Sequence, residues 1–107
     1  MSDNELLAKL QDFGLTEYQS KAYVAAVRLG EAQPSDLVEE SGVPQGRIYD
    51  VIDGLEELGL VEVRSRRRGK EVRAPSPQTV LEELKRRRVD DLTDTVSSLT
   101  TGLERIH

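Results

Sequence analysis

The spacing of apolar residues changes twice along this chain, and these changes limit the folds that it can adopt. Up to Leu58 apolar residues recur every three or four positions, as on the buried face of a helix. From Leu60 to Ala74 they alternate with charged residues, as in a half-buried strand. Helical spacing returns after Ser76. The pattern predicts a mostly α-helical protein with a small β-hairpin and a long C-terminal helix.

The first two helices are marked by their end signals. Asp3 or Asn4 can cap a short first helix, which Gly14 stops. Thr16 opens the second helix, and Gln19 follows three residues later, as in a capping box. An apolar stripe along this second segment indicates that one of its faces is buried.

Two further helices form the centre of the predicted domain. The third begins at Pro34 and ends near Gly42, and the fourth covers residues 44–58. The fourth is strongly amphipathic, and its apolar residues are Ile48, Val51, Ile52, Leu55 and Leu58. Two helices joined by a short glycine-containing turn are typical of a helix-turn-helix. A hairpin packed beside them makes it a winged helix-turn-helix over residues 1–75.

A second unit, residues 76–107, is predicted to be one helix with a dimerisation role. Val80, Leu81 and Leu84 are expected to face the winged domain. Beyond them the apolar residues step by three and four positions, as in a coiled-coil seam. The seam consists of Val89, Leu92, Val96, Leu99, Leu103 and Ile106. Either a second copy of the chain or a further C-terminal domain could cover it.

Composition excludes most enzyme classes. The chain of 107 residues has no cysteine, and its single histidine is the terminal His107. These counts leave no thiol nucleophile, catalytic triad or metal cluster. No phosphate-binding loop or cofactor motif is present. We therefore expect no enzyme activity, no cofactor and no metal. No membrane-spanning or signal segment is visible, so a cytoplasmic location is expected.

Charge is distributed unevenly along the chain. The net charge is −5, but residues 1–60 carry −8, residues 61–88 carry +6 and residues 89–107 carry −3. Fields act locally, so the basic middle segment can bind a polyanion despite the total. The acidic remainder, with 11 arginines against 4 lysines, is similar to proteins of high-salt cytoplasms. An origin in a halophile is therefore expected.

The fourth helix is the candidate recognition helix, and its first turns would enter the major groove. The candidate contacts there are Pro44, Gln45, Gly46, Arg47 and Tyr49. Gln45 can bond adenine, Arg47 can clamp guanine or a phosphate, and Gly46 admits close backbone approach. In the alternative interpretation Arg47 pairs with Asp50 on a solvated surface and Tyr49 packs beside the wing.

The wing is the more concentrated basic segment. Its cations are Arg64, Arg66, Arg67, Arg68, Lys70 and Arg73, on either side of a turn near Gly69. Such a tip suits a phosphate backbone or a minor groove. It could instead be a charged sheet edge that discourages aggregation. The next basic run, residues 85–88, cannot share one helix face, so solvated or ion-paired side chains compete there with DNA contact.

Three sequence runs resemble the TrmB family of archaeal regulators. They are GLTEYQSKAY from Gly14, SGVPQGRIYDV from Ser41 and LEELGLV from Leu55, and the likeness covers about residues 5–84. The resemblance implies a winged-helix DNA-binding domain, with Arg47 and Tyr49 on its recognition helix, followed by a dimerising helix. Many family members continue into a sugar-binding domain. A stand-alone regulator and an N-terminal fragment both remain open, and no effector can be carried over.

The sequence thus predicts a transcription regulator that binds double-stranded DNA as a homodimer on a roughly palindromic operator. The transcription machinery is a possible further partner, and no membrane partner is expected. The alternative is a winged helix that serves as a protein-interaction module in a transcription complex. The basic wing distinguishes the two, because an adaptor has no need of three successive arginines at the tip.

Overall fold

Five helices and three short strands make up the computed structural model, which describes residues 1–107. The helices are α1 (Asp3–Asp12), α2 (Glu17–Leu29), α3 (Pro34–Ser41), α4 (Gln45–Glu57) and α5 (Pro77–Ile106). The strands are β1 (Glu31–Ala32), β2 (Glu62–Arg66) and β3 (Gly69–Arg73). The predicted mostly α-helical winged fold with a long C-terminal helix is confirmed.

Local end signals position the first helices. The Thr16–Gln19 capping box is present in both directions: the Gln19 N–H donates to Thr16 Oγ1 at 3.1 Å, and the Thr16 N–H donates to Gln19 Oε1 at 2.9 Å. The predicted cap of α1, Asp3 or Asn4, was wrong, since Ser2 is the N-cap and accepts from the Glu5 N–H at 3.2 Å.

The sheet has one strand more than the predicted hairpin. Its order is β1-β3-β2, with both pairs antiparallel. In β1, Glu31 pairs with Arg73 and Ala32 with Val72. A two-residue strand has no periodicity of its own, so only its partner reveals it. Ala32 and Val72 are both buried, which fastens the wing to the helical layer.

One hydrophobic core joins the helices to the sheet. Residues from all five helices, from Ala32 and Val72 and from the α4–β2 link are buried in it. Leu37 and Leu55 are fully buried, and full burial of a leucine contributes about 1.5–3 kcal/mol to the free energy of folding. Val43 anchors the turn between α3 and α4, where Gly42 adopts the left-handed conformation at φ 76°. Helix α4 is therefore held in place by its packing against α2 and α3.

The pKa values of two side chains, both outside the candidate interface, depart from their ordinary range. Burial raises the pKa of Tyr23, whose hydroxyl has no hydrogen-bond partner. A hydrogen bond to Asp3 at 2.7 Å raises the pKa of Arg28, with a smaller contribution from Glu40. The Arg28 contacts join α1, α2 and α3 at the surface.

Helix α5 leaves the domain soon after it begins. Leu84 is its one buried residue, and Val80 and Leu81 pack partly buried against the core, as predicted. From Val89 onward every residue is exposed. The molecule is accordingly elongated, with extents of 57 × 34 × 27 Å. None of the helices is both long enough and apolar enough to span a bilayer.

Candidate nucleic-acid interface

The core face of α4 determines which of its residues are free. Ile48, Val51, Ile52 and Leu55 are buried, so the opposite face is turned to solvent. All the predicted contacts of this helix are exposed, namely Pro44, Gln45, Gly46, Arg47 and Tyr49. Pro44 is the N-cap, and no side chain caps this end. Backbone N–H groups of the first turn therefore remain available to an anion.

Gly46 has no packing role within the protein. A Cβ built on it meets no heavy atom within 4 Å, and its backbone does not have a positive φ. Neither the fold nor the backbone conformation requires glycine here. A glycine in a helix interior costs about 1 kcal/mol relative to alanine. The position thus leaves open space at the helix surface, where a ligand could approach the backbone.

Arg47 is held by an aromatic ring and not by an acid. Its guanidinium carbon lies 5.6 Å from the centre of the Tyr18 ring, at the start of α2. No carboxylate approaches it within ion-pair distance, so the Asp50 pair of the alternative interpretation does not form. The side chain keeps its charge unpaired beside α4. No sequence pattern predicts this contact, because α2 and α4 meet through the tertiary fold alone.

The wing turns back at two of its arginines. Arg66 pairs with Gly69, so Arg67 and Arg68 form a two-residue turn, and Gly69 follows it with φ 123°. The turn thus lies just before the glycine that was predicted to make it. Both turn residues are exposed and take part in no ion pair. The tip presents two free positive charges to solvent.

One face of the wing meets the recognition helix. Lys70 pairs with Ser65, one step of the alternation away from the packed Val63–Val72 pair, so it lies on the helix-facing side. Its ammonium lies 5.9 Å from the centre of the Tyr49 ring. Tyr49 thus lies beside the wing, as in the alternative interpretation, but it remains 54% exposed, which leaves much of the ring accessible. Wing and α4 therefore form one continuous surface.

The outer face of the wing is largely neutralised. Arg66 donates to Glu71 at 3.1 Å, and Arg73 donates to Glu62 at 2.9 Å. Arg64 is exposed and has no ion-pair partner. The predicted wing cations therefore divide into ion-paired and unpaired ones. Those without an acidic partner are Arg64, Arg67, Arg68 and Lys70.

The basic run of α5 is engaged within the protein. Lys85 pairs with Glu82 at 3.9 Å, and Arg86 pairs with Glu83. Arg87 and Arg88 reach back to carbonyl groups of the winged domain. The pairs of Lys85 and Arg86 agree with the ion-paired interpretation of this run, and DNA contact by its side chains stays an untested alternative.

The predicted seam forms a continuous apolar stripe with no partner within the chain. Its members are each at least half exposed: Val89 52%, Leu92 64%, Val96 59%, Leu99 56%, Leu103 62% and Ile106 83%. Threonine and glycine flank it at positions 93, 95, 100 and 102, and the charged residues of this segment lie farther round the helix. Six exposed apolar side chains in one row are typical of an interaction surface.

A helix-turn-helix with a three-stranded wing and an exposed, uncapped recognition helix defines a winged helix-turn-helix protein. The family model described as "Sugar-specific transcriptional regulator TrmB" matches residues 10–80. The chain belongs to the TrmB family, so the resemblance seen in the sequence is confirmed. The family and the relatives below are transcription regulators and not enzymes.

Two curated archaeal relatives give the scale of the likeness. The sugar sensing regulator TrmBL1 of Pyrococcus furiosus is 39% identical over 93 residues, which is 86% of this chain and 27% of that protein. The DNA-binding repressor TrmBL2 of Thermococcus kodakarensis is 34% identical over 84 residues, covering 78% of this chain and 31% of that protein. The chain thus spans under a third of the length of these relatives.

One solved structure supports the same assignment, and a second shares the fold. The structure of TrmBL2, described as an archaeal chromatin protein with a novel mode of DNA binding, superposes with a TM-score of 0.91 at 28% identity. That match covers 98% of this chain and 40% of the other. The oxidised form of MarR from E. coli matches at a TM-score of 0.58 and 21% identity, over 97% of this chain and 85% of the other. The latter likeness shows the fold alone.

Proposed function

We propose that this protein is a transcription regulator that binds double-stranded DNA through the first turns of α4 and the wing tip. The carrying observation is the contact between Lys70 and the Tyr49 ring at 5.9 Å. It joins the free cations of the wing to the uncapped end of α4 in one surface. The major groove admits a helix, and an adjacent basic hairpin suits the flanking phosphates.

Within this surface we assign two roles, contact with base edges and neutralisation of phosphates. Gln45, Gly46 and Arg47 lie where base edges would be read, because they occupy the exposed first turn of α4. Arg67, Arg68 and Lys70 would neutralise phosphates, since they carry charges that no acidic side chain offsets. The second half of α4 carries Asp53, Glu56 and Glu57 on its exposed side, which limits insertion to the first two turns.

Fluorescence anisotropy with duplex DNA at graded salt tests the proposal. The wild type should bind with an affinity that falls steeply as salt rises. The variant Arg67→Ala/Arg68→Ala/Lys70→Ala should reduce the magnitude of the slope of log K against log salt by about 2–3 for each protomer bound, because each phosphate contact contributes about 0.9. The charge-matched control is Lys9→Ala/Lys85→Ala/Arg86→Ala, which removes three exposed cations elsewhere.

Two outcomes contradict DNA binding through this surface. One is a wild type that does not bind duplex DNA even at low salt, which favours the protein-interaction alternative. The other is an equal loss for the control triple variant, which would show that net charge alone matters. A site-specific role for Arg47 further requires that Arg47→Ala reduces the preference for an operator over random sequence.

The homodimer is proposed on the seam of α5. The stripe from Val89 to Ile106 is exposed along its whole length, and it repeats at the spacing of a two-stranded coiled coil. A second copy offers the same stripe, and a two-fold dimer then presents two recognition helices to a roughly palindromic operator. Dimerisation multiplies the contacts available to a protein whose total charge is negative.

Light scattering of two variants tests the dimer. Leu99→Asp places a charge in the seam and should give a monomer mass, because the carboxylate would be buried against its symmetry mate. Thr101→Asp adds the same charge on the opposite side of the helix and should leave the dimer intact. A monomeric wild type, or equal masses for both variants, contradicts the proposed seam.

A further inference from the structure

Two successive arginines of α5 contact the ends of two different helices. Arg87 Nη2 donates to the carbonyl oxygen of Leu58, at the end of α4, at 2.7 Å. Arg88 donates to the carbonyl oxygen of Phe13, at the end of α1, and its guanidinium lies 4.8 Å from the centre of the Phe13 ring. The last carbonyls of a helix lack intrahelical partners and carry partial negative charge, so they suit a guanidinium.

Each arginine also has a glycine beside its acceptor. A Cβ at Gly14 would lie 3.0 Å from Arg88 Nη2, and a Cβ at Gly59 would lie 3.6 Å from Arg87 Nη2. Both glycines have a positive φ, 102° and 76°, which turns the chain away from the helix end. At Gly14 the missing side chain leaves the space that the guanidinium occupies. The ends of α1 and α4 therefore provide two similar contact sites for arginines of α5.

These contacts lie at the last point where α5 touches the domain. Leu84, one turn earlier, is the only buried residue of the helix, and every residue from Val89 onward is exposed. A helix attached only by Val80, Leu81 and Leu84 is held along one line, which leaves it free to swing. Contacts to α1 and α4 on two sides of that line restrict the swing.

We propose that Arg87 and Arg88 are positioning residues that set the direction in which α5 leaves the winged domain. This inference rests on the proposed function for its consequence. In a homodimer joined through α5, the direction of that helix determines the distance between the two copies of α4. Arg87 bonds the end of α4 itself, so it ties the recognition helix directly to the dimer axis. The pair would thus select the spacing of the two half-sites.

Electron spin resonance distance measurement tests the direction of α5 without DNA. The chain has no cysteine, so spin labels at Ser35→Cys in α3 and Thr101→Cys in α5 are the only ones, and both positions are exposed. Labelled chain is diluted with excess unlabelled chain, so that each dimer carries one labelled copy. For Arg87→Ala/Arg88→Ala we expect the distance distribution to broaden roughly twofold, because a hinge without its fixed contacts samples more angles.

The control is Lys85→Ala/Arg86→Ala, which removes two cations from the same turn but only their pairs with Glu82 and Glu83. It should leave the distribution unchanged. Equal widths for wild type and the Arg87/Arg88 variant overturn the inference, and so does equal broadening in the control. If the double variant loses its helical circular dichroism, the single variants Arg87→Ala and Arg88→Ala are measured in its place.

A DNA measurement separates positioning from direct contact. On random duplex, Arg87→Ala/Arg88→Ala should keep the wild-type salt slope, whereas its preference among palindromes of different half-site spacing should be lost. A fall in the magnitude of the salt slope by about 0.9 for each arginine of each bound protomer would assign them to phosphates and overturn the inference. If the wild type binds no DNA, the proposed function fails, while the spin-label distances still decide whether the arginines hold α5.

Discussion

The wing tip and the basic turn of α5 carry similar sequences but have different roles in the structure. The wing contains Arg66-Arg67-Arg68, and α5 contains Lys85-Arg86-Arg87-Arg88. In the wing a two-residue turn projects Arg67 and Arg68 away from every acidic side chain. In α5 all four cations have partners within the protein.

The backbone geometry explains this difference. Successive helical residues point about 100° apart, so four cations in a row meet four different surroundings. Two of these are acidic neighbours one turn back, and two are helix ends of the domain. A hairpin tip has solvent on nearly every side and offers no such partners. Density of charge in a sequence therefore does not show which cations are free to bind a ligand, because that depends on how each one is paired in the fold.

The largest effect is expected from adding a methyl group at the glycine beside Arg88. Gly14→Ala and Gly69→Ala both place alanine at a positive φ, 102° and 123°, which costs about 1–2 kcal/mol in each case. At Gly14 the new Cβ also crowds the Arg88 guanidinium, whereas Gly69 has open space. We expect Gly14→Ala to lower the free energy of unfolding by about 2–3 kcal/mol, against about 1–2 for Gly69→Ala.

Urea unfolding followed by circular dichroism measures both. If the two variants lose equal stability, the contact between Arg88 and the end of α1 does not stabilise the fold. The proposed structural role of the α5 cations would then be contradicted.

A crossed pair of variants examines the contrast directly. Arg88→Ala should lower the free energy of unfolding by about 1–2 kcal/mol, because it removes a charge-assisted hydrogen bond from a half-buried carbonyl. Arg68→Ala should change it by less than about 0.5 kcal/mol, since that side chain touches nothing acidic. In DNA binding the order should reverse, with the magnitude of the salt slope falling by about 0.9 per bound protomer for Arg68→Ala alone.

Both quantities are measured on the same protein preparations, by urea unfolding and by anisotropy. Variants that affect stability and DNA binding to the same extent would contradict the division of roles between the two segments.

Much of this fold was predictable because its signals are local. The capping box at Thr16, the end of α3 at Gly42 and the change of period after Gly59 each lie within a few residues, and each is found in the structure. The family assignment followed from similarly short runs. By contrast β1 consists of two residues that become a strand only by pairing with β3, about 40 positions later.

The contacts of the site that were not predicted also join residues far apart in the sequence. Arg88 and Phe13 are 75 positions apart, and Tyr18 and Arg47 lie on different helices. No spacing rule links such residues, so a sequence shows their types but not that they contact each other in the fold. The DNA contacts, the palindromic operator and dimerisation through the seam remain predictions. The high-salt origin rests on composition alone, and relatives from Pyrococcus and Thermococcus do not support it.

A smaller effect, on DNA affinity, is expected at Tyr18. It tests whether a contact within the protein also supports a cation of α4. Tyr18→Leu removes the ring under Arg47, and an exposed cation–π contact is worth about 0.5–1 kcal/mol, or about a two- to fivefold loss of DNA affinity. Tyr18→Phe keeps the ring and should bind as the wild type does. Anisotropy on one duplex checks both. A loss for Tyr18→Phe would point to the hydroxyl, and no loss for Tyr18→Leu would show that Arg47 needs no support.

The smallest effect is expected at Arg73, and it tells whether location or pairing decides the role of a cation. Arg73 lies in the wing, like Arg68, but it is paired with Glu62 at 2.9 Å. If pairing decides, Arg73→Ala should reduce the magnitude of the salt slope, per bound protomer, by less than half of the ~0.9 expected for one phosphate contact. Its stability should change by about 0–1 kcal/mol, the usual range for an exposed ion pair. A reduction by the full ~0.9 for Arg73→Ala would mean that DNA displaces Glu62. The position of a cation in the wing or in α5, and not its ion pair, would then determine its role.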